Sequence, residues 1–312
     1  MESTRRARIR ALAKINLDLR VLNKRPDGYH ELRTVFQTIS LSDRLDLAFT
    51  PRRATEVALH SDVDIPDNLV VKAARLCLDE LHRSGRVEVR LQKRIPMGAG
   101  LGGGSSDAAA MLLALPVLAG GLIPMSRLIS IAGELGSDVP FFLLGGRAAA
   151  IGRGTEVYPL PPISRGPALV VAPGIHVSTA DAYQSLNRGE LTTESLQNNI
   201  DSFQASLWGA SGARGVNDFE EAVFRRHPPL RALKQGLVKF GANPAMMSGS
   251  GSSIFAIFQD QAQATRATKF FRKETVFRVS LVSQARYRAA WRRWLAAHRI
   301  QSEWPPQSRY AR

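Results

Sequence analysis

Hydrophobic and polar residues alternate along several stretches of the first hundred residues, a pattern that predicts β-strands. Residues 8–22 alternate most clearly over I-N-L-D-L-R-V, and T-V-F-Q-T-I-S-L and R-L-D-L-A-F resume the pattern after a Pro-Asp-Gly turn. V-E-V-R-L-Q-K-R-I gives a further strand that ends at Pro96. Together these segments predict an antiparallel sheet near the N-terminus.

Apolar residues at helical spacing occur between and after these strands. Residues 68–82 have this spacing, with Asp67 or Asn68 as the candidate N-cap. A glycine-rich loop is followed by a second helix that we predict from Ser105 or Ser106 through Leu115, and M-S-R-L-I-S-I-A-G-E-L predicts a third. This mixture of elements predicts an α+β protein.

The second half of the chain follows a proline-rich segment, Tyr158–Pro167, which is the best linker candidate. After it, A-L-V-V-A-P, S-S-I-F-A-I-F and T-V-F-R-V-S-L-V predict strands, and the helical patterns cover 216–224, 231–241 and 261–272. We therefore divide the chain into an N-terminal lobe at 1–162, a C-terminal lobe at 163–284 and a basic tail with tryptophans at 285–312.

Composition limits the class of protein. The chain has 312 residues, of which 44% are hydrophobic and 22% charged, and is long enough for two ordinary domains, or one large one, with a well-buried core. No uncharged apolar run reaches 18 residues, so no membrane contact is expected, and Lys14 and Asp18 interrupt any signal core, which favours a cytoplasmic address. The single Cys77 fits a buried helical thiol, and six scattered histidines give no zinc signature.

The formal charge of +15 calls for a partner of opposite sign. Residues 266–312 hold 12 Lys/Arg and 2 Asp/Glu, which is +10 of this total. The remainder is mildly basic and suits an enzyme that handles phosphorylated metabolites. A nucleic-acid-binding protein is kept as the alternative of another class, although a nucleic-acid partner is not what the sequence favours.

The stretch P-M-G-A-G-L-G-G-G-S-S-D at 96–107 is the densest glycine motif. Glycines let backbone N–H groups converge on one point, and the start of a helix adds its positive dipole end, so the motif favours a di- or triphosphate. The serines can bond a phosphate oxygen or Mg²⁺, or cap the helix. The assigned phosphate-site residues are Pro96, Met97, Gly98, Ala99, Gly100, Leu101, Gly102, Gly103, Gly104, Ser105 and Ser106.

This loop lacks the lysine of a Walker A motif and meets the Rossmann glycine pattern only weakly, without repeated βαβ units. A phosphoryl-transfer site must then take its cation and base from elsewhere. Lys14 and Asp138 are the candidates because each charge stands among apolar residues. A structural ion pair or a surface position stays open for both.

The same motif resembles the second signature of the superfamily named for galactokinase, homoserine, mevalonate and phosphomevalonate kinases (GHMP kinases). Within it, A-K-I-N-L-D-L-R-V and P-D-G-Y-H-E-L-R-T-V-F-Q resemble the 4-diphosphocytidyl-2-C-methyl-D-erythritol kinase family. E-L-G-S-D-V-P-F-F-L-L-G-G-R-A and M-S-G-S-G-S-S-I-F-A complete four blocks within 11–260. The resemblance implies an N-terminal lobe like ribosomal protein S5 domain 2, a ferredoxin-like C-terminal lobe, and substrates bound between them.

The resemblance also implies a reaction of the non-mevalonate isoprenoid pathway. The γ-phosphoryl group of ATP would pass to the 2-hydroxyl of 4-diphosphocytidyl-2-C-methyl-D-erythritol, giving ADP and the 2-phosphate. Asp138 would be the general base, Lys14 would stabilise the alkoxide and the moving phosphoryl group, and Mg²⁺ would come with ATP, with Ser105 as a candidate ligand. Asn68 and Lys93 match positions near the adenosine.

For the second substrate, a small molecule with a cytidine diphosphate group, the resemblance implies contacts from both lobes. His30 would read the cytosine edge, Tyr29 and Tyr183 would stack on the base, and the remaining contacts would come from Asn16, Thr179, Gly249 and Ser250. A GHMP-type kinase of another small alcohol stays open, as does the choice between monomer and homodimer. The tail at 285–312 does not align, and packing on the lobe is favoured over a basic membrane or nucleic-acid contact.

Overall fold

Two β-sheets organise the chain in the computed structural model, which describes residues 3–24, 28, 30–163, 166–186, 203, 215–300 and 303–311. The first sheet contains β1 (Arg5–Lys24), β2 (His30–Pro51), β3 (Glu56–Ser61), β4 (Gly85–Gln92), β5 (Arg147–Gly152) and β6 (Glu156–Pro159). Its strand order is β3-β4-β2-β5-β6, with β1 paired to β2. Only the β3–β4 pair is parallel among these described strands, which confirms the predicted antiparallel sheet.

The first lobe has four described helices, of which the first three were predicted from the spacing of apolar residues and the fourth was not. They are α1 (Leu69–Glu80), α2 (Gly103–Ala119), α3 (Met125–Leu135) and α4 (Val139–Leu144). Asn68 caps α1 by accepting the N–H of Val70 at 2.9 Å. Nearly every residue of α2 after its first turn is buried, as expected for a helix that is apolar all round. None of the helices in the described part is long and apolar enough to cross a membrane.

The start and end of α2 differ from the prediction. The helix begins at Gly103 rather than at Ser105 or Ser106, because Gly102 adopts a left-handed conformation (φ 69°) and serves as N-cap. It continues past Leu115 to Ala119, with Pro116 inside it. The apolar run lies in the core along its whole length, so tertiary burial stabilises the last turn despite the proline.

The second lobe is an antiparallel four-stranded sheet with helices. Its strands are β7 (Ala168–Ala172), β8 (Ala245–Met247), β9 (Ile254–Ile257) and β10 (Thr275–Val279), in the order β10-β7-β9-β8. Its described helices are α5 (Thr179–Gln184), α6 (Phe219–Arg226), α7 (Pro228–Lys239) and α8 (Gln261–Phe270). The helix predicted at 216–224 begins only at Phe219, because Asn217 forms a parallel bridge with Leu19 of β1.

The tail folds back onto the first lobe. Helix α9 (Gln284–Trp294) places Tyr287 and Trp291 in the same hydrophobic core as α1, α2 and α4, and Leu295 joins them. All three side chains are at most 2% exposed. The tail was assigned to neither lobe in the sequence analysis, but its helix packs into the core of the first lobe. Packing on a lobe was the role that the sequence favoured for the tail.

Candidate active site

A cavity of about 790 Å³ lies between the two lobes, a size typical of small-molecule sites. The first lobe contributes the glycine loop and residues of β1, and the second contributes residues of α5 and of the turn at 248–252, here called the G-S-G-S turn. A second cavity, of about 690 Å³, lies wholly within the second lobe beside α6 and α7 and includes neither the glycine loop nor Lys14. The interlobe cavity is therefore the candidate site.

The glycine loop is held against the second lobe by backbone contact. Gly98, Gly100 and Gly102 have φ values of 62°, 73° and 69°, a region that favours glycine. A Cβ on Gly100 would stand 1.9 Å from the carbonyl oxygen of Ser248. The Ser248 hydroxyl donates to the Gly100 carbonyl at 2.9 Å. The phosphate loop and the G-S-G-S turn thus fit each other without room for a side chain.

The two serines at the start of α2 have different partners. Ser105 is half-buried and lines the cavity. Ser106 is buried, and its hydroxyl donates to the Leu12 carbonyl at 2.7 Å, away from the cavity. The N-cap residue of α2 is Gly102, which has no side chain to cap the helix, and the first N–H groups of a helix have no partner within it. Ser105 is the serine placed to contact a ligand.

Lys14 and Asp138 meet at one wall of the cavity. The Lys14 Nζ lies 3.3 Å from the Asp138 Oδ2 and donates to the Asn16 Oδ1 at 2.7 Å. Asn16 is fixed in turn because its amide donates to Thr34 at 2.8 Å. Irregular β1–β2 pairing between Leu12 and Lys14 accompanies this arrangement, as bulges often do near functional side chains.

The lysine is hidden and the carboxylate is accessible. The Lys14 side chain is 4% exposed and the Asp138 side chain 32%. Asp138 is the N-cap residue of α4 but makes no capping bond with its side chain, so the carboxylate faces Lys14 and the cavity. The arrangement places an accessible carboxylate, a group able to accept a proton, beside a buried cation.

Lys93 and Asn68, the two residues expected near adenosine, are placed differently. Lys93 lines the cavity, but its ammonium donates to Asp43 and, at 2.8 Å, to Asp107. Asn68 caps α1 and lines a separate surface pocket. Burial raises the pKa of Asp107 to about 7; Lys93 opposes this rise, and the negative charge of Asp43 adds to it. Both carboxylates raise the pKa of Lys93 despite its burial.

Three aromatic side chains, His30, Tyr183 and Phe219, also line the cavity. The His30 and Tyr183 rings stack at 4.8 Å between centroids, and Phe219 meets Tyr183 edge-on at 4.9 Å. Burial raises the pKa of Tyr183 to about 12, and the charge of Asp138 adds to it. Tyr29 lies outside the described residues. His30 and Tyr183 thus line the same cavity, and their contact with a cytosine stays a prediction.

The G-S-G-S turn completes the site. Thr179 and Ser250 share a hydrogen bond of 2.9 Å between their hydroxyls. A Cβ on Gly249, whose φ is 58°, would lie 3.4 Å from the Lys14 Nζ. The sequence reasoning missed Asn217, whose amide donates to the carbonyls of Met247 and Gly249 at 2.7 and 2.8 Å. Its position just before an amphipathic helix gave no sign of this role.

Sequence reasoning also passed over two residues of the H-E-L-R-T-V-F-Q stretch. Thr34 holds Asn16, and the Phe36 ring lies 5.2 Å from the Lys14 Nζ. Both line the cavity. The two residues share one face of β2, so the alternation of the strand could have identified them as companions of Lys14.

Comparisons with known proteins agree with this geometry. The chain matches the GHMP kinases N terminal domain at residues 68–146 and the GHMP kinases C terminal family at 192–276. It is 58% identical over 314 residues to the 4-diphosphocytidyl-2-C-methyl-D-erythritol kinase of Solibacter usitatus, covering 99% of both chains, so this alignment includes the tail. The kinase of the same description from Geobacter sulfurreducens is 36% identical over 271 residues, covering 86% of this chain and 96% of the relative.

Solved structures give the same result. A crystal structure of 4-(cytidine 5'-diphospho)-2C-methyl-D-erythritol kinase superposes with a TM-score of 0.72 at 37% identity, covering 88% of this chain and 98% of that one. The predicted two-lobed α+β architecture is confirmed by these matches. The chain therefore belongs to the 4-diphosphocytidyl-2-C-methyl-D-erythritol kinase family of the GHMP kinases.

Proposed function

We propose that this chain transfers the γ-phosphoryl group of ATP to the 2-hydroxyl of 4-diphosphocytidyl-2-C-methyl-D-erythritol, giving ADP and the 2-phosphate. The observation that carries this proposal is the Lys14–Asp138 pair, 3.3 Å apart, which shares one cavity with the glycine loop. The names of the relatives at 58% and 36% identity support the choice of substrate.

In the proposed mechanism Asp138 takes the proton of the substrate hydroxyl as the oxygen attacks phosphorus. A carboxylate within hydrogen-bond reach of the hydroxyl can do this, and positioned acid–base catalysis contributes about 10²–10⁴-fold in rate. Lys14 stabilises the negative charge that develops on the alkoxide and on the moving phosphoryl group. Its hydrogen bond to Asn16 keeps the ammonium at this place.

The glycine loop and the first N–H groups of α2 hold the phosphates of ATP. Ser105 is an oxygen donor of the cavity that could contact Mg²⁺ carried in by ATP, whereas Asp43 and Asp107 are engaged by Lys93 and Asp138 is paired with Lys14. The described residues form no cluster of three metal-ligating side chains. This fits a Mg²⁺ ion held by phosphate oxygens, water and one or two protein oxygens. The ion would neutralise charge on the phosphates.

The cytidine end of the alcohol substrate binds at the His30 and Tyr183 rings in this proposal. The two rings already stack on each other at 4.8 Å, so the cytosine lies against or beside the pair rather than between them. His30 then bonds the edge of the base, and Tyr29 is the second proposed stacking partner. The hydroxyls of Thr179 and Ser250 and the amide of Asn16 contact the phosphate and erythritol parts.

The test is release of ADP from purified protein given ATP, Mg²⁺ and the diphosphocytidyl alcohol, with homoserine and mevalonate as competing acceptors. Turnover confined to the first acceptor is expected. No turnover of that acceptor by folded protein would refute the proposal. A nucleic-acid-binding protein would instead show affinity for nucleic acid that falls steeply with salt, and no ATP turnover.

Asp138→Asn should lose about 10²–10⁴-fold in kcat while ATP still binds, because the amide cannot accept the proton. Asp260→Asn is the matched control: Asp260 is the N-cap residue of α8, and asparagine caps helices equally well. A large loss of ATP affinity in Asp138→Asn would contradict the base role. His30→Ala should raise KM for the cytidine substrate, whereas no effect would favour a kinase of another alcohol.

A further inference from the structure

Helix α4 carries Asp138 at its amino end and spans only six residues. A helix this short does not hold its shape by itself, and its last carbonyl groups have no partner within the helix. The placement of the base therefore depends on what holds the carboxyl end of α4.

The tail supplies side-chain donors at that end. The Tyr287 hydroxyl donates to the Phe142 carbonyl at 2.5 Å, and the Trp304 indole N–H donates to the Leu143 carbonyl at 2.9 Å. The Gly145 N–H donates to the Phe141 carbonyl at 2.8 Å at the end of the helix. The last turn of α4 is thus satisfied in large part by residues that lie 140 or more positions later in the chain.

These donors are themselves fixed. Tyr287 is 2% exposed, and its ring lies on Gly145, where a Cβ would approach the ring to 2.4 Å. The rings of Tyr287, Trp291 and Trp304 lie 6.2 to 6.5 Å apart and meet edge-on. Burial raises the pKa of the Tyr287 hydroxyl, which therefore stays protonated and available as a donor.

The other side of α4 contacts the site. Phe141 packs on Phe36 at 4.9 Å, and the Lys14 Nζ lies over that same Phe36 ring. The Phe142 ring lies so close to Gly102 that a Cβ there would approach it to 2.9 Å. A shift of α4 would therefore move Asp138 and disturb the supports of Lys14 and of the glycine loop together.

We propose that Tyr287 and Trp304 are positioning residues of the kinase, which hold Asp138 opposite Lys14 by fixing the carboxyl end of α4. The inference rests on the proposed function for the role of Asp138. It assigns a catalytic consequence to the tail, none of whose described residues lines the cavity. Because misplacement of a reacting group by 1 Å can cost about 100-fold in rate, losing one of these two bonds should lower kcat by roughly 5- to 30-fold.

The experiment compares Tyr287→Phe and Trp304→Phe with a matched control from the same tail. The Ser308 hydroxyl is also a buried donor to the last turn of a helix, at 2.7 Å from the Val117 carbonyl of α2. That bond lies about 20 Å along α2 from its amino end. Ser308→Ala should lower the melting temperature while leaving kcat within about twofold of wild type.

Steady-state kinetics and hydrogen exchange together decide the proposal. Both test variants should lose kcat with the KM values for ATP and the alcohol nearly unchanged, and amide exchange should accelerate in residues 138–144. Wild-type kcat in folded Tyr287→Phe and Trp304→Phe would overturn it, as would an equal loss of kcat in Ser308→Ala at the same melting temperature.

Failure of the proposed function is distinguishable from failure of this inference. If the wild-type protein turns over none of the offered alcohols, the proposed function fails, and exchange alone decides the tail's role. Acceleration confined to residues 138–144 then supports the fixing of α4 by Tyr287 and Trp304, and unchanged exchange there overturns it.

Discussion

Gly100 is the position at which the glycine loop tolerates a side chain least. Its φ of 73° is in the left-handed region, and a Cβ built there would stand 1.9 Å from the Ser248 carbonyl oxygen and 2.8 Å from its carbon. These neighbours are backbone atoms, so no side-chain rotation can relieve the contact. Gly100→Ala must therefore separate the loop from the G-S-G-S turn by more than an ångström.

The expected magnitude follows from these contacts. An L-residue in the left-handed region costs about 1–2 kcal/mol, and losing the Ser248 bond to the Gly100 carbonyl adds about 1 kcal/mol. We expect Gly100→Ala to lower the free energy of unfolding by about 2–3 kcal/mol. Because the displacement exceeds 1 Å at the phosphate loop, kcat/KM for ATP should fall by roughly 100-fold or more, equivalent to about 2.7 kcal/mol.

The assay is coupled ADP release together with urea unfolding, with Gly133→Ala as control. Gly133 lies inside α3, and nothing stands within 4 Å of a Cβ built on it. There alanine should leave kinetics unchanged and stabilise the fold by up to about 1 kcal/mol. If Gly100→Ala retains kcat/KM within threefold and unfolds at the wild-type urea concentration, the reasoning about this contact is wrong.

Three further predictions concern other parts of the fold. The pKa of Asp107 is raised to about 7, so ionising this carboxyl group destabilises the folded protein as pH rises from about 4 to 7. Over that range, the free energy of unfolding of Asp107→Asn, measured in urea, should increase relative to wild type by on the order of 3 kcal/mol. A difference that does not change with pH would contradict this. Removing residues 284–312 takes Trp291 out of the core and should give insoluble or non-cooperatively unfolding protein, so a soluble form with wild-type melting would refute the packing. Asn217→Ala leaves two carbonyls of the G-S-G-S turn without their donor and should cost about 2–4 kcal/mol by urea unfolding and raise KM for the alcohol.

The sequence predicts best those elements that have one buried and one exposed face. In β4 the burial alternates along its whole length, and α3 matches its predicted bounds. By contrast β5 is buried at nearly every position, so R-A-A-A-I-G carries no period of two. Helix α4 is an apolar run of six residues and β8 has three, both too short for a period to show. Sequence reasoning missed these three elements, and it also assigned no strand at β3 or β6 and no helix at α5.

In the site, too, features formed by adjacent residues could be predicted from the sequence, whereas contacts between residues far apart in the chain could not. The glycine run by itself predicts an anion site at a helix start, and the structure places Gly98 through Ser105 in one cavity. The partners of Lys93 could not be predicted, because Asp43 and Asp107 come from β2 and α2 and meet it only in the folded chain. Resemblance suggested that Lys93 lies near adenosine, and the direct contact stays a prediction since its ammonium is shared by two carboxylates.

One strand determines how the two halves of the site face each other. Beyond Lys14 and Asn16, β1 continues into the second lobe, where the Leu19 N–H donates to the Val216 carbonyl at 2.7 Å and the Val21 N–H to the Asp218 carboxylate at 2.9 Å. The buried Asp18, whose pKa is raised by burial and opposed by Arg20, accepts the Val216 N–H at 3.2 Å. The strand that carries the lysine is thus bonded to the residues just before α6, from which Asn217 holds the G-S-G-S turn. These hydrogen bonds join the two lobes a few residues from Lys14. A motion that opens the cavity must therefore either keep these bonds intact or break them. Opening at the far ends of the lobes therefore costs less than separating Lys14 from Gly249.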